Sequence, residues 1–144
     1  MSDEQAILKL LRDQDEATAR GDAEAVVAPI GNGYVSFDLP PPLQNRGNAK
    51  DGIQGLNAWF GTWEDRVTVH LADPTVIVDG DLAVVYGLSR MQGVKKGEGP
   101  LVAWNRRTVV LQRRGGKWKI VHEHSSYPMA MDGTGRSMTE LTPE

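Results

Sequence analysis

The chain reads as one α+β domain. Three observations lead there. Helical periodicity is confined to the segment before Trp63, whereas the chain beyond it alternates apolar and polar residues with the period of strands. Asp79-Gly80 and Gly115-Gly116 are tight-turn signals that join long strands into a meander. At 144 residues with 40% hydrophobic side chains, the chain has apolar material for one core and not for two. Helices followed by strands mean helices on one face of an antiparallel sheet, and long strands twist and coil. The predicted architecture is a cone-shaped, strongly curved antiparallel sheet packed on three N-terminal helices (a cystatin-like α+β roll). A sheet curled in this way leaves a pocket inside the cone.

Each element has its own signal. Ser2 caps the first helix, with Asp3 and Glu4 in the first turn where the helix dipole favours negative charge. Ile7, Leu8, Leu11 and Ala17 form its apolar stripe, and Gly21 ends it. Asp22 caps a second, short helix through Val27, stopped before Pro29. Tyr34 to Asp38 is a short strand that Pro40-Pro41-Pro42 terminates. Asn48 caps a third helix over Ala49 to Thr62, with Ile53, Leu56, Trp59, Phe60 and Trp63 on one face. Val67 to Val78 is a strand interrupted at Pro74; Leu82–Gln92, Leu101–Arg113 and Trp118–Tyr127 follow. The domain is expected to span residues 1–129, with 130–144 a flexible Gly/Ser/Thr-rich tail.

Composition excludes several functions. The net charge is −3, and the first half of the chain is the acidic one, so no basic stripe offers itself to nucleic acid. With no cysteine, disulfides, thiolate-held metals and thiol nucleophiles are out. The polar start, Met1 to Gln5, leads into no apolar run of signal-peptide or membrane-span type, so no membrane partner and a cytoplasmic location are expected. No phosphate-binding loop, nucleophile elbow or dinucleotide fingerprint is present; Gly31-Asn32-Gly33 is a turn.

Three strings carry a family resemblance. Residues 116–126, Gly-Lys-Trp-Lys-Ile-Val-His-Glu-His-Ser-Ser, resemble the terminal strand of SnoaL-like, ketosteroid-isomerase-like proteins of the nuclear-transport-factor-2-like fold. Phe37 to Leu43, followed by a helix with Trp59 and Trp63, is similar to a small bacterial subgroup of these proteins. Trp104 to Thr108 resembles that subgroup's penultimate strand. The resemblance implies the cone fold, a pocket, and homodimerisation through the sheet. It does not name a reaction, because this fold hosts isomerases, cyclases, dehydratases, hydrolases and binding domains. The first helix reads Asp13-Gln14-Asp15-Glu16 with no tyrosine, and the penultimate strand carries Trp104 and Arg106 where ketosteroid isomerases need an acid.

Candidate site residues follow from side-chain parity. Strict alternation puts Trp118, Ile120, His122, His124 and Ser126 on one face of the last strand, a mixed polar and apolar surface that suits a pocket wall. Trp104, Arg106 and Thr108 share a face of the neighbouring strand. A pocket-facing Arg106 needs a counter-charge: Asp38, or an anionic ligand. Asp38, alone, is a candidate general base; paired with Arg106 it is a poor one. His122 and His124 are candidates for stabilising a developing oxyanion, and two histidines without a third ligand do not define a metal site. Trp59 and Trp63 suit the core or the pocket wall; Tyr86 and Arg90 share a face whose direction alternation leaves open, with Ser89 on the other. Val109, Leu111 and Val121 are expected on the outer face, as the apolar surface of a dimer.

Two functions stay open at this level. One is a cofactor-independent isomerase, cyclase or dehydratase acting on a small hydrophobic carbonyl compound with Asp38 as base. The other is a non-catalytic module binding a small hydrophobic or anionic ligand.

Overall fold

The computed structural model describes all of residues 1–144. Helix α1 (Asp3–Ala19) begins in a capping box: the Gln5 backbone N–H donates to Ser2 Oγ at 3.1 Å, and Gln5 Oε1 accepts from the Ser2 N–H at 2.9 Å. Helix α2 (Ala23–Val27) is capped by Asp22, and helix α3 (Ile53–Phe60) follows a 3-10 turn at 49–52. The strands are β1 (Ile30–Phe37), β2 (Asn45–Arg46), β3 (Thr68–Asp79), β4 (Leu82–Lys95), β5 (Gly99–Arg114) and β6 (Lys117–Ser126). They form one curved, unclosed sheet in the order β2-β1-β6-β5-β4-β3.

The predicted class holds, with one change: the sheet is mixed. β1 starts four residues earlier than its aromatic core suggests and runs parallel to β6, pairing Val35 with His122 and Phe37 with His124. The two-residue β2 covers its outer edge. Residues 128–138 fold back on themselves: the Ala130 N–H donates to the Arg136 carbonyl and the Met138 N–H to the Pro128 carbonyl, each at 2.8 Å.

The helices lie on one face of the sheet, and that fixes which residues point inward. Ile7 and Leu11 of α1 pack on Leu71, Ala83, Val85, Val109, Leu111, Trp118 and Ile120. Val109 and Leu111 are wholly buried. Burying a side chain of this size is worth roughly 1.5–3 kcal/mol, enough to decide which face of β5 turns to the helices. They therefore belong to the core and not to an outer, dimer-forming face. The small residues Ala83, Gly87, Gly93 and Ala103 sit on the same inner face. A Cβ on Gly93 would lie 2.8 Å from Trp63 Cε3, so glycine here is what lets the Trp63 ring lie against β4.

A β-bulge in β6 sets the direction of everything after it. Leu111 pairs with Ile120, and Val110 pairs with His122, leaving Val121 as the extra residue. Trp118 and Ile120 point inward before the bulge; Glu123 and Ser125 point inward after it. Val121 is thus half-buried in the bulge, neither core nor outer apolar face.

Candidate functional site

The inner, concave face carries a polar cluster centred on Arg107. Its guanidinium sits two residues before the buried Val109 on β5 and is only 11% exposed. Arg107 Nη2 donates to Glu123 Oε1 from β6 and, at 3.1 Å, to Gln14 Oε1 from α1; its Nη1 lies 3.7 Å from Asp15 Oδ1. Gln14 is used at both ends, since its Nε2 donates to the Val26 carbonyl at 2.9 Å and so ties α1 to α2. The Tyr34 hydroxyl, from β1, donates to Glu123 Oε2 at 2.9 Å. Side chains from α1 and β6 thus meet on the β5 guanidinium, and β1 joins them through Glu123. The i,i+1 pair Gln14-Asp15 reaches the guanidinium because the helix passes over the strands at that point.

Charge sets the chemistry of these groups. Glu123 is held by a cation and a phenol and is fully committed as an acceptor. Tyr34 is pushed far above the ordinary phenol value by burial and then by the neighbouring Glu123, so it stays protonated and acts as a donor. Arg107 is held charged by Glu123 and Asp15 against the cost of burial. Asp15 is raised above the ordinary carboxylate value: desolvation outweighs the lowering by Arg107, by the Leu71 backbone and by His70, and Glu123 adds to the rise. Two carboxylates share one guanidinium, and Glu123 holds it more closely. Asp15 is the group left with an incomplete partner.

The residues expected from alternation lie elsewhere. His122, His124 and Ser126 pair with Val110, Thr108 and Arg106 on the convex face, because the bulge at Val121 reverses their direction. Trp104, Arg90 and Tyr86 are on that face too, through the Arg90–Trp104 and Tyr86–Thr108 pairs. There is no Arg106–Asp38 ion pair: Arg106 Nε donates to Ser126 Oγ at 3.2 Å, and Asp38 Oδ1 accepts from the Leu39 N–H at 2.7 Å. Asp38 has the parity of Tyr34 and Ser36 and sits exposed at the rim of the concave face. Trp63 is core, with the Lys95 ammonium 4.3 Å above its ring and Trp59 packed edge-on at 5.8 Å. His122 Nδ1 is 2.7 Å from the Val35 carbonyl; a carbonyl only accepts, so Nδ1 carries the proton. Phe37 packs edge-on against both histidines. No three His, Asp or Glu side chains are grouped as a metal site, and no helix is long and apolar enough to cross a membrane.

Parity alone missed Arg107, Glu123, Asp15 and Gln14. The signal that finds the inner face is the run of small residues, Ala83, Gly87, Gly93 and Ala103, which marks where helices approach the sheet.

The helices, the mixed curved sheet and their order define an α+β domain of the NTF2-like fold. More narrowly, the chain belongs to the SnoaL-like domain family, whose model matches residues 7–130. It is similar to an NTF2-like protein of unknown function from Pseudomonas putida KT2440, 30% identical over 99% of both chains with a TM-score of 0.84. A Streptomyces avermitilis protein of the NTF2-like family, provisionally assigned as a dehydratase, shares the fold at 18% identity; 89% of this chain and 97% of that one align, with a TM-score of 0.73. The association domain of CaMKII from C. elegans does so at 22% identity, over 85% of this chain and 94% of that one, with a TM-score of 0.65.

Proposed function

We propose that this chain is a cofactor-independent acid–base enzyme of the isomerase, cyclase or dehydratase type, acting on a small carbonyl compound at the concave face. The observation that carries the reading is Asp15: a half-buried carboxyl with a raised pKa, next to a guanidinium already engaged by Glu123. A proton-transfer group works best when its pKa approaches the working pH. Asp15 takes the α-proton of the substrate, and the Arg107 network holds the helix and strands that position it. The dehydratase assignment of the Streptomyces relative is compatible with this class of chemistry. Asp38, exposed at the rim with its carboxyl turned to its own backbone, is the competing base.

The test needs no knowledge of the natural substrate. Protein is incubated in D2O with cyclohexanone, 2-cyclohexenone or acetone, and α-proton loss is followed by NMR. The wild type accelerates exchange of at least one of them. Asp15→Asn lowers that rate by about a hundredfold, the scale of one acid–base group, while Asp38→Asn retains it. Exchange that survives Asp15→Asn contradicts the assignment; loss in Asp38→Asn alone moves the base to the rim. Binding without exchange leaves a non-catalytic small-molecule module.

A separate observation supports a homodimer formed through the convex face. Phe37, Ile77, Leu82, Tyr86, Leu88 and Val102 each expose 37–54% of their surface there, more apolar surface than an unpartnered sheet normally shows. The CaMKII relative is an association domain. In this reading Trp104, Arg106, His122 and His124 serve the contact between subunits.

A further inference from the structure

Ser89 and Asn105 are buried on the concave face and take no part in the Arg107 network. Ser89 is 2% exposed and Asn105 7%. They are direct cross-strand partners on β4 and β5, which sets their Cβ atoms roughly 4.5–5.5 Å apart. Neither side chain has a hydrogen-bond partner in the protein. They are also not sealed off: the one polar side-chain atom both sealed and unpartnered is Trp63 Nε1. A buried amide and hydroxyl left unpaired cost stability, so their survival here points to something that enters and meets them.

The charges beside them select what enters. Asn105 is two residues from Arg107 on the same face, about 6.7 Å along the strand. Arg107 is committed to Glu123, Gln14 and Asp15. An incoming anion therefore finds two carboxylates and no free cation. An uncharged ligand avoids that repulsion and brings what the pair lacks. Asn105 Nδ2 and Ser89 Oγ donate; Asn105 Oδ1 accepts.

We propose that Ser89 and Asn105 form the recognition site for the carbonyl edge of an uncharged ligand, a ketone or carboxamide, and that the Asp15–Arg107–Glu123 cluster excludes carboxylates of the same shape. The ligand oxygen takes the Asn105 N–H and the Ser89 hydroxyl, and a neighbouring N–H or O–H of the ligand is received by Asn105 Oδ1. This rests on the acid–base reading only in placing the ligand on the concave face.

Cyclohexanecarboxamide and cyclohexanecarboxylate have one shape and differ in charge. Each is titrated into 15N-labelled wild-type protein at neutral pH, with the Asn105 side-chain NH2 signals followed by NMR. The carboxamide shifts them saturably, and the carboxylate binds at least about tenfold more weakly. Asn105→Ala, checked for an unchanged fold by its spectrum, loses about tenfold in carboxamide affinity. Equal or tighter carboxylate binding overturns the proposal. So does carboxamide binding that leaves Asn105 unshifted or survives Asn105→Ala, and so does no saturable carboxamide binding. Deuterium exchange lost in Asp15→Asn with the amide preference absent defeats the recognition pair alone; amide selectivity without exchange defeats the catalytic reading alone.

Discussion

Replacing Arg107 by methionine tests the cluster by removing its centre. Methionine keeps much of the stem's volume and takes away the charge. What remains is Glu123, Asp15 and the Gln14 amide, each deprived of its shared donor. Because the Arg107 side chain is 11% exposed and that of Glu123 19%, solvent screens this loss poorly. Removing one partner of a buried ion pair costs about 3–5 kcal/mol. For a chain of this size that lowers Tm by roughly 6–20 °C. Urea unfolding at neutral pH and at about pH 4 checks both size and sign. Without Arg107, whose charge lowers it, the folded-state pKa of Asp15 rises further. A carboxyl raised in the folded state favours folding when protonated, so the variant's deficit shrinks as the pH falls through that range. A loss below about 1 kcal/mol, the worth of a surface pair, refutes the reasoning, and so does a deficit that acid leaves unchanged.

Two further outcomes concern the scaffold. Gly93→Ala forces its Cβ to within 2.8 Å of the buried Trp63 ring; chemical denaturation should show a loss of about 1–3 kcal/mol, and an unchanged midpoint would mean Trp63 moves freely. Leu88→Asp combined with Val102→Asp, on the convex face, should give a folded monomer by sedimentation where the parent sediments as a dimer; a variant that stays dimeric places the contact elsewhere.

Much of the fold is legible in the residues because its signals are local. Ser2, Asp22 and the two glycine turns announce helix starts and hairpins through their own backbone chemistry, and β4, β5 and β6 fall within a few residues of their expected spans. The parallel pairing of β1 with β6 is not local. It joins segments more than eighty residues apart, and nothing in Gly31-Asn32-Gly33 distinguishes a turn from the start of a strand. The concave-face cluster is hidden from the sequence at two points. Alternation tells which residues share a face and not which face is inside, and on β5 both faces are apolar: Val102 and Val110 outside, Val109 and Leu111 inside. On β6 one extra residue, Val121, then exchanged the histidines for Glu123. Arg107 carries no local signal of its role, because its partners come from α1 and β6, with β1 joining through Glu123, and only packing brings them together.

The central claim is that chemistry resides at Asp15, inside the cone, and the carboxyl pKa of Asp15 tests it most directly. A 13C NMR titration of the side-chain carboxyl in wild-type protein reads that value. The account predicts a midpoint above the ordinary 3.8, because desolvation outweighs Arg107. By linkage the folded state then loses stability as the pH rises through that midpoint, and Asp15→Asn removes this dependence. A midpoint at or below 3.8 would make Asp15 an ordinary ion-pair partner of Arg107 and would contradict the claim.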